Sequence, residues 1–160
     1  MRKHIKQTVT KEFSFDCAHM LANHEGLCRN LHGHQYKLFV TVSILDERVS
    51  QNEASEGMIV DFKDLKRIVN TLIVDKYDHA LVLDEFTNDE FEQELLVITE
   101  KYNKKTVLLP YRPTAENMAE DFFDQIDDYL EDNKQINCQI EKIRLYETPT
   151  SYSEVIKDEK

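Results

Sequence analysis

Regular alternation of apolar and polar residues predicts two β-strands in the first third of the chain. In residues 9–19, one face carries Phe13, Phe15, Cys17 and His19. In residues 36–44, one face carries Tyr36, Leu38, Val40, Val42 and Ile44. Successive side chains of a strand point to opposite sides of a sheet, so a two-residue period indicates a strand with one buried face.

Apolar residues at spacings of three and four predict two helices. In the first, over residues 61–75, the apolar stripe is formed by Phe62, Leu65, Val69, Leu72 and Ile73. In the second, over residues 114–131, it is formed by Ala119, Phe122, Ile126 and Tyr129. Asp61 and Thr114 are the expected N-caps, since their side-chain oxygens can accept from the free N–H groups of the first turn. Pro113 disfavours any earlier start of the second helix.

Alternation returns at the C-terminal end, where residues 139–147 and 151–157 predict two more strands. Ile143, Leu145 and Glu147 share one face of the former. The predicted order is ββααββ, with an insertion at about residues 84–112 that holds a short helix at residues 89–101. We expect an α+β fold, a four-stranded antiparallel sheet with two helices on one face, in a single domain over residues 1–160. The two edges of such a sheet need shielding or pairing with other subunits.

Three histidines can be placed at one end of this sheet. His32 and His34 are two residues apart, so they share the apolar face of the second strand if that strand extends back to them. If the first two strands pair as a hairpin, His19 lies beside them. Three neutral imidazoles suit Zn²⁺ and leave a fourth coordination position open, as in catalytic zinc sites. The alternative is a solvated or packed His-x-His pair without a metal.

Other polar residues have both a functional and a structural interpretation. Cys28, four residues before His32, is either a small buried hydrophobe or a thiolate activated near a metal. The carboxylate of Asp78 can fix the tautomer of an imidazole base at His79, but a surface pair at a helix end is the simpler explanation. Glu147 on an apolar face needs a partner. That partner is either a salt bridge or a ligand with two parallel N–H donors, such as a guanidine or an aminopyrimidinone.

Composition and charge narrow the classes of function. The chain has 160 residues and a net charge of −11, from 31 acidic and 20 basic residues. Such a surface repels nucleic acid, and no run of Lys or Arg offsets it. No stretch approaches the ~20 apolar residues of a membrane helix, and the first residues lack the apolar segment of a secretory signal. Three scattered cysteines (Cys17, Cys28 and Cys138) without a CxxC pair favour a reducing cytoplasm.

Six segments, taken in order, resemble one protein family. They are FSFDCAH (13–19), CRNLHGHQYKL (28–38), MIVDFKDLK (58–66), YDHALVLDE (77–85), PTAEN (113–117) and YETPTSY (146–152). Each is modest alone, but together they resemble the 6-pyruvoyltetrahydropterin synthase and 6-carboxytetrahydropterin synthase family over nearly the whole chain. The resemblance implies the tunnelling fold (T-fold), in which sheets of several subunits assemble into a barrel.

The resemblance also implies roles for individual residues. The zinc ligands would be His19, His32 and His34. Cys28 matches the catalytic cysteine of the family, which abstracts a proton, and Asp78 and His79 match its second acid/base pair. Glu147 would anchor the amino-pyrimidinone edge of a pterin and assist the proton relay.

The resemblance also predicts substrate contacts for residues at the start of the second helix and next to Cys28. Glu116 and Thr114 sit where the family lines the pterin pocket, although an acid in a first helical turn also favours the helix dipole by itself. Arg29 is a candidate for the triphosphate, since an anionic substrate needs cationic neighbours on so acidic a chain. The family forms trimers stacked into hexamers with sites between subunits, so we expect a homo-oligomer.

The implied activity is that of a zinc-dependent lyase. We expect a 6-carboxytetrahydropterin synthase that converts 7,8-dihydroneopterin triphosphate to 6-carboxy-5,6,7,8-tetrahydropterin, acetaldehyde and triphosphate, for queuosine and other 7-deazaguanine pathways. The alternative within the family is 6-pyruvoyltetrahydropterin synthase, which eliminates triphosphate without cleaving the carbon–carbon bond. The alternatives outside it are a pterin-binding module with a structural zinc and a metal-free acidic interaction protein.

Departures from the family pattern bear on the site. Cys17 stands where the family commonly has Ala, and it is either a fourth zinc ligand or, as we expect, a small core residue. The family's D-H-x-x-L-N motif appears as DHALVLD (78–84), one residue out of step. The motif therefore does not predict the structure of the loop after His79. Because Cys28 is present, the branch of the family that has Glu in its place is disfavoured.

Overall fold

The computed structural model of the chain describes residues 6–46 and 55–158. Within these ranges it has six strands: β1 (Thr8–His19), β2 (His32–Ile44), β3 (Ala80–Asp84), β4 (Thr106–Leu109), β5 (Cys138–Thr148) and β6 (Ser151–Ile156). It also has four α-helices: α1 (Phe62–Val69), α2 (Asp75–Tyr77), α3 (Glu90–Lys101) and α4 (Ala115–Asp132). No helix in the described ranges is long and apolar enough to cross a membrane.

All six strands form one mixed sheet in the order β4-β3-β1-β2-β5-β6. β1 and β2 are antiparallel, as are β2 and β5 and also β5 and β6, whereas β3 runs parallel to β1 and β4 parallel to β3. The hairpin of the first two strands is confirmed, and its register sets His19 opposite His32. β2 begins at His32 rather than at Tyr36, so that His34 also lies on the strand.

The predicted four-stranded antiparallel sheet and the ββααββ order are wrong, because β3 and β4 add two parallel strands. In β3 the side chains of Ala80, Val82 and Leu83 are all buried, so its apolar residues do not alternate with polar ones. A strand covered on both sides gives a short apolar run, and periodicity does not distinguish such a run from a piece of helix. β3 is joined to β1 only through residues 17–19 of β1.

The first predicted helix is present but is not a single α-helix. Its start is as expected, since the Asp61 side chain accepts from the backbone N–H of Lys63 at 2.8 Å. The expected range of 61–75 is divided into α1, a π-helical segment at Asn70–Val74 and α2. The helical run therefore ends at Tyr77, immediately before the predicted acid/base pair.

The insertion and the second predicted helix also begin at side-chain caps. Within residues 84–112 the predicted short helix is confirmed as α3, which is capped by Asp89 through the N–H of Glu92 at 2.9 Å. α4 is capped by Thr114, whose hydroxyl accepts from the N–H of Asn117 at 3.2 Å. This polar insertion thus contains α3 and β4 rather than an extended loop.

The core lies between one face of the sheet and the helices α1 and α4. Phe15 of β1 stacks on Tyr36 of β2 with ring centroids 5.3 Å apart, and Phe122 of α4 contacts Phe15 edge-on at 6.1 Å. Burying a side chain of this size contributes about 1.5–3 kcal/mol. By the two-residue period this face continues to His19 and His34, so the same packing that forms the core places the histidines at its margin.

Candidate metal centre and active site

The three histidines that were predicted to converge do meet at one end of the sheet. The ligand atoms of His19, His32 and His34 lie within 4.8 Å of one another. Their ring centroids are separated by 4.6 Å (His19 to His32), 5.2 Å (His19 to His34) and 4.9 Å (His32 to His34). The hairpin register explains this cluster, because His19 and His32 are directly opposite and His34 follows on the same face.

Backbone carbonyl groups determine which ring nitrogen of two of these histidines carries the proton. Nδ1 of His19 lies 2.8 Å from the carbonyl oxygen of Pro113, and Nδ1 of His32 lies 2.6 Å from that of Asn30. A carbonyl oxygen only accepts, so we assign the Nδ1–H tautomer to both rings. Their Nε2 atoms, 3.2 Å apart, then both present lone pairs. Nε2 of His34 is buried and has no hydrogen-bond partner in the described structure.

Burial favours the neutral form of two of the three imidazoles, those of His19 and His34. It lowers the pKa of His19 to about 4, against the opposing effect of the Pro113 carbonyl. Burial also lowers the pKa of His34, against the attraction of the Glu147 carboxylate. Neutral imidazoles with converging lone pairs suit a divalent cation such as Zn²⁺, and three protein ligands leave a fourth position for another ligand. The residues present therefore fit a catalytic zinc, and metal binding itself stays a prediction.

Glu147 lies beside the histidine cluster, at a bulge in β5. Tyr146 pairs with Tyr152 and Thr148 with Ser151, which leaves Glu147 as the extra residue between the two pairs. Its Oε1 is 3.6 Å from Nε2 of His34, an ion-pair distance that is too long for a hydrogen bond. The carboxylate is a quarter exposed, so its oxygens remain accessible to a ligand.

The start of α4 adjoins the same cluster through Pro113. The Pro113 carbonyl holds the His19 ring, and the next residue, Thr114, caps the helix. Glu116 lies in the first turn of α4, where its charge also interacts favourably with the helix dipole. Thr114 therefore has a structural function in this chain, and its contact with a substrate stays a prediction.

Cys28 lies in a short turn, Leu27–Arg29, of the loop that joins β1 to β2. Its carbonyl oxygen accepts from the N–H of Leu21 at 2.9 Å, which fastens the loop to the segment that follows β1. Burial, and to a smaller extent the nearby charges, among them that of Cys28, raise the pKa of the Tyr36 hydroxyl. That hydroxyl is 3.4 Å from Nδ1 of His19, and the loop that carries Cys28 joins His19 at the end of β1 to His32 at the start of β2. Arg29 is exposed.

A second cation near the cluster was missed from the sequence. Arg112 directly precedes Pro113, and its Nη2 donates to the carbonyl oxygen of Leu21 at 3.2 Å. Its Nε is buried and has no hydrogen-bond partner among the described residues. The only signal in the sequence is its position just before the PTAEN segment, which by itself does not distinguish it from any surface arginine.

Asp78 and His79 form a pair at the edge of β1. Nδ1 of His79 lies 2.9 Å from Oδ2 of Asp78, a contact that adjacent residues rarely make. It is possible here because His79 has a φ of +59°, in the left-handed region. The Asp16 N–H, which donates to Oδ1 of Asp78 at 2.9 Å, is the main cause that lowers the pKa of the Asp78 carboxyl. The His79 side chain is 79% exposed and has no hydrogen bond to the three histidines in the described structure.

Cys17 is a core residue rather than part of the metal-ligand group. It is buried on β1, and burial raises its pKa to about 12, with smaller contributions from the charges of Asp16, Asp78 and Glu147. The group of potential ligands found among the described residues contains the three histidines and not this thiol. The expectation that Cys17 substitutes for a small core residue is therefore supported over a fourth ligand.

The sequence is similar to known proteins over nearly its full length. The model of a family described as 6-pyruvoyl tetrahydropterin synthase matches residues 8–158. The 6-carboxy-5,6,7,8-tetrahydropterin synthase of Haemophilus influenzae is 42% identical over 91% of this chain and 96% of its own length. A protein of the same name from Rickettsia bellii is 30% identical over 91% of this chain and 97% of its own length.

Solved structures show the same fold at low sequence identity. An uncharacterized protein from Wolinella succinogenes superposes with a TM-score of 0.72 at 21% identity, covering 96% of this chain and 99% of that one. The 6-pyruvoyl tetrahydropterin synthase of Plasmodium falciparum superposes with a TM-score of 0.68 at 20% identity, covering 95% of this chain and 98% of that one. The added strands β3 and β4 therefore do not remove the chain from this fold.

Proposed function

The chain belongs to the 6-pyruvoyl tetrahydropterin synthase family, and on this basis we propose that it is a zinc-dependent 6-carboxytetrahydropterin synthase. It would convert 7,8-dihydroneopterin triphosphate and water to 6-carboxy-5,6,7,8-tetrahydropterin, acetaldehyde and triphosphate, and so supply queuosine and other 7-deazaguanine pathways. The names of the most similar relatives support this branch over the 6-pyruvoyl branch. The structural observation that carries the proposal is the convergence of three imidazoles, whose ligand atoms lie within 4.8 Å of one another and in which Nε2 of His19 faces Nε2 of His32 at 3.2 Å.

In this proposal His19, His32 and His34 would hold Zn²⁺, which would supply a Lewis acid to the site. The Pro113 and Asn30 carbonyls fix two of the rings in the tautomer that offers Nε2 to a metal, the arrangement that metal-binding histidines usually have. The chain thus orients its own ligands before any ion binds.

Glu147 is proposed to hold the pterin. An aminopyrimidinone presents two parallel N–H donors, and a carboxylate accepts them in a two-bond arrangement. Glu147 lies 3.6 Å from His34, so a pterin held by this carboxylate would extend beside the proposed zinc ligands. Thr114 and Glu116, at the start of α4, are proposed to line the same pocket.

Proton transfer is assigned to Cys28 and to the Asp78–His79 pair. Cys28, on the loop beside the cluster, would take a proton from the substrate side chain. The imidazole of His79, oriented by Asp78, would exchange a proton at a second position. Because the His79 ring is exposed and separate from the three histidines of its own chain, we propose that it acts in the site of another copy.

The triphosphate needs cations on a chain of net charge −11. Arg29 is exposed next to Cys28, and Arg112 lies one residue from the proline that holds His19. We propose both as contacts for phosphate oxygens. Two cations at the mouth would give a locally positive entrance on an otherwise acidic particle.

Assembly into trimers stacked as hexamers, in the cytoplasm, is part of the same proposal. β3 pairs with β1 only at residues 17–19 and the turn at residues 78–79 contacts Asp16, so residues 8–15 of β1 leave one edge without a partner strand in the described structure. β6 forms another edge of the sheet. Pairing these edges between copies would protect them and close a barrel of the T-fold type.

Product identification with the zinc-loaded protein tests the proposal. Acetaldehyde and 6-carboxytetrahydropterin in equal amounts are the expected products from 7,8-dihydroneopterin triphosphate. A stable 6-pyruvoyl product without acetaldehyde would assign the chain to the other branch. Pterin binding without turnover would indicate a binding module with a structural zinc, and the absence of stoichiometric metal would contradict the zinc assignment.

A further inference from the structure

Lys105 contacts the turn that carries the acid/base pair from two directions. Its Nζ donates to the carbonyl oxygen of Asp78 at 2.5 Å and to that of Asp75 at 2.9 Å. Its own backbone carbonyl accepts from the N–H of Leu81 at 3.0 Å. Lys105, on the loop between α3 and β4, therefore hydrogen-bonds to the backbone on both sides of His79.

We propose that Lys105 is a positioning residue for His79, acting by fixing the Asp78 peptide that orients the imidazole. The inference rests on the proposed function in that it takes His79 as an acid/base group. It also gives a role to the insertion at residues 84–112, which supplies Lys105.

The backbone at His79 needs external support. A φ of +59° places a non-glycine residue in the left-handed region, which is sterically unfavourable because Cβ comes close to the following carbonyl oxygen. Such conformations persist where the surrounding structure determines them. β1 holds one side of the turn, because the carbonyl of Asp16 accepts from the His79 N–H at 2.6 Å. Lys105 holds the other side through the Asp78 carbonyl.

Lys105 is suited to this place by its charge. The carbonyls of Asp75 and Asp78 lie at the C-terminal end of the helical run, where the helix dipole is negative and a cation is favourable. Hydrogen bonds from an ammonium group are stronger than those from neutral donors. The backbone N–H of Asp16 is the main cause that lowers the pKa of the Asp78 carboxyl, and the charge of Lys105 adds to this effect.

Replacing Lys105 removes the ammonium group that binds the Asp78 carbonyl, while Asp78 and His79 themselves are unchanged in sequence. The turn could then relax out of the left-handed conformation, and the Nδ1–Oδ2 contact would open. The imidazole would lose its fixed tautomer, with Nδ1 protonated and Nε2 free to exchange a proton. Turnover would fall with little change in substrate binding, since the pterin is held elsewhere.

Lys105→Met tests this with Lys104→Met as the matched control, because Lys104 is the exposed neighbouring residue. We expect Lys105→Met to lower kcat about 10-fold with KM within twofold, at unchanged zinc content, while Lys104→Met leaves both constants unchanged. Lys105→Arg, which keeps a charged donor, is expected to restore most of kcat. If Lys105→Met does not fold, Lys105→Gln replaces it with the same expectation.

A double-mutant cycle separates positioning from a general structural role. If Lys105 acts through His79, Lys105→Met has no further effect on kcat in a His79→Ala background. Effects that multiply in the double mutant, or an unchanged kcat in Lys105→Met, would overturn the proposal.

A measurement without substrate keeps this inference distinct from the proposed function. In protein labelled with ¹⁵N-histidine, His79 is expected to show the Nδ1–H tautomer in the wild type and a mixture of tautomers in Lys105→Met. That change without any turnover of the pterin would support the role of Lys105 and count only against the substrate assignment. Identical His79 signals in both proteins would reject the role of Lys105.

Discussion

The Nε2 atoms of His19 and His32 lie 3.2 Å apart, and Nδ1 of each ring faces a backbone carbonyl oxygen. Since both Nδ1 atoms donate, two lone pairs oppose each other at this distance unless a cation or an extra proton lies between them. Burial lowers the pKa of His19 to about 4, which disfavours the proton at neutral pH. This geometry fits the proposed zinc, for which His34 would be the third ligand.

Replacing any one of the three histidines by Ala is expected to remove stoichiometric zinc. Loss of a group that only orients a ligand weakens metal binding by about 10–100-fold, and loss of the ligand itself should cost at least as much. Metal analysis of His19→Ala, His32→Ala and His34→Ala after dialysis measures this. His24→Ala, which changes an exposed loop histidine, is the control and should keep the wild-type content. Equal zinc in all four variants would contradict the assignment.

Cys28 is expected to be the first of the three cysteines to react with iodoacetamide at pH 8. Burial raises the pKa of Cys17 to about 12 and that of Cys138 to about 11, and only the thiolate reacts. Cys28 is half-buried on a loop. Peptide mapping after brief labelling checks the order, and equal labelling of the two buried thiols would argue against it.

Cys28→Ala is expected to abolish turnover while zinc content stays near that of the wild type. The thiol is assigned to proton transfer and is not in the metal-ligand group. Cys138→Ala, at a buried position on β5, is the control and should retain activity with a modest loss of stability. Turnover by Cys28→Ala at the wild-type rate would reject its catalytic role.

Gly33→Ala is expected to weaken zinc binding about 10-fold, as loss of ligand orientation does. A Cβ atom at Gly33 would lie 3.2 Å from the carbonyl oxygen of Cys17 and 3.7 Å from Cα of Ala18. Both are backbone atoms of the paired strand, so the strands would have to separate slightly between the two ligands that flank this glycine. Competition with a chromophoric chelator measures the affinity. Gln35→Ala, the next exposed residue on that side of β2, should not change it.

The Asp78 carboxylate is expected to contribute its full stabilisation above about pH 4 and to lose it gradually at lower pH. The N–H of Asp16 and the other partners lower its pKa below the usual ~3.9. A group whose pKa is lowered by folding contributes stability that is present above the unfolded pKa and is lost as the pH falls through the folded value. The difference in urea midpoint between wild type and Asp78→Asn should therefore shrink from pH 6 to pH 3.5.

Two precautions make that comparison interpretable. All midpoints are measured at one protein concentration, because association would make them concentration-dependent. Asp64→Asn removes a charge of the same sign at an exposed position on α1, so its effect is subtracted as that of net charge. A wild-type advantage that grows towards low pH would contradict the direction of the Asp78 shift.

The histidine cluster could be predicted because strand parity is a local property. His19 continues the face of Phe15, and His34 continues the face of Tyr36, so the pattern of side chains around each residue already fixes its side of the sheet. The cap at Asp61 is equally local, since it needs only a side-chain oxygen and a helix that follows. Such features depend on neighbours in the sequence, and the structure reproduces them.

Other parts of the site depend on contacts between distant residues. The left-handed conformation of His79 is held by Asp16 and Lys105, which are far from it in sequence. Nη2 of Arg112 donates to the carbonyl oxygen of Leu21, which lies 91 positions earlier in the chain. The periodicity of apolar residues predicts which face of a strand or helix is buried. It does not predict which distant residue a side chain contacts in the folded protein.

The sequence by itself determined the antiparallel strand pairs, the two capped helices, the family and the identity of the candidate ligands. Only the tertiary structure decided the two parallel strands, the tautomers of His19 and His32, the place of Arg112 and the support of the acid/base pair by Lys105. The physical reason is the range of the interactions. Periodicity and capping act over a few residues, whereas carbonyl contacts and parallel pairing join segments that meet only when the chain has folded.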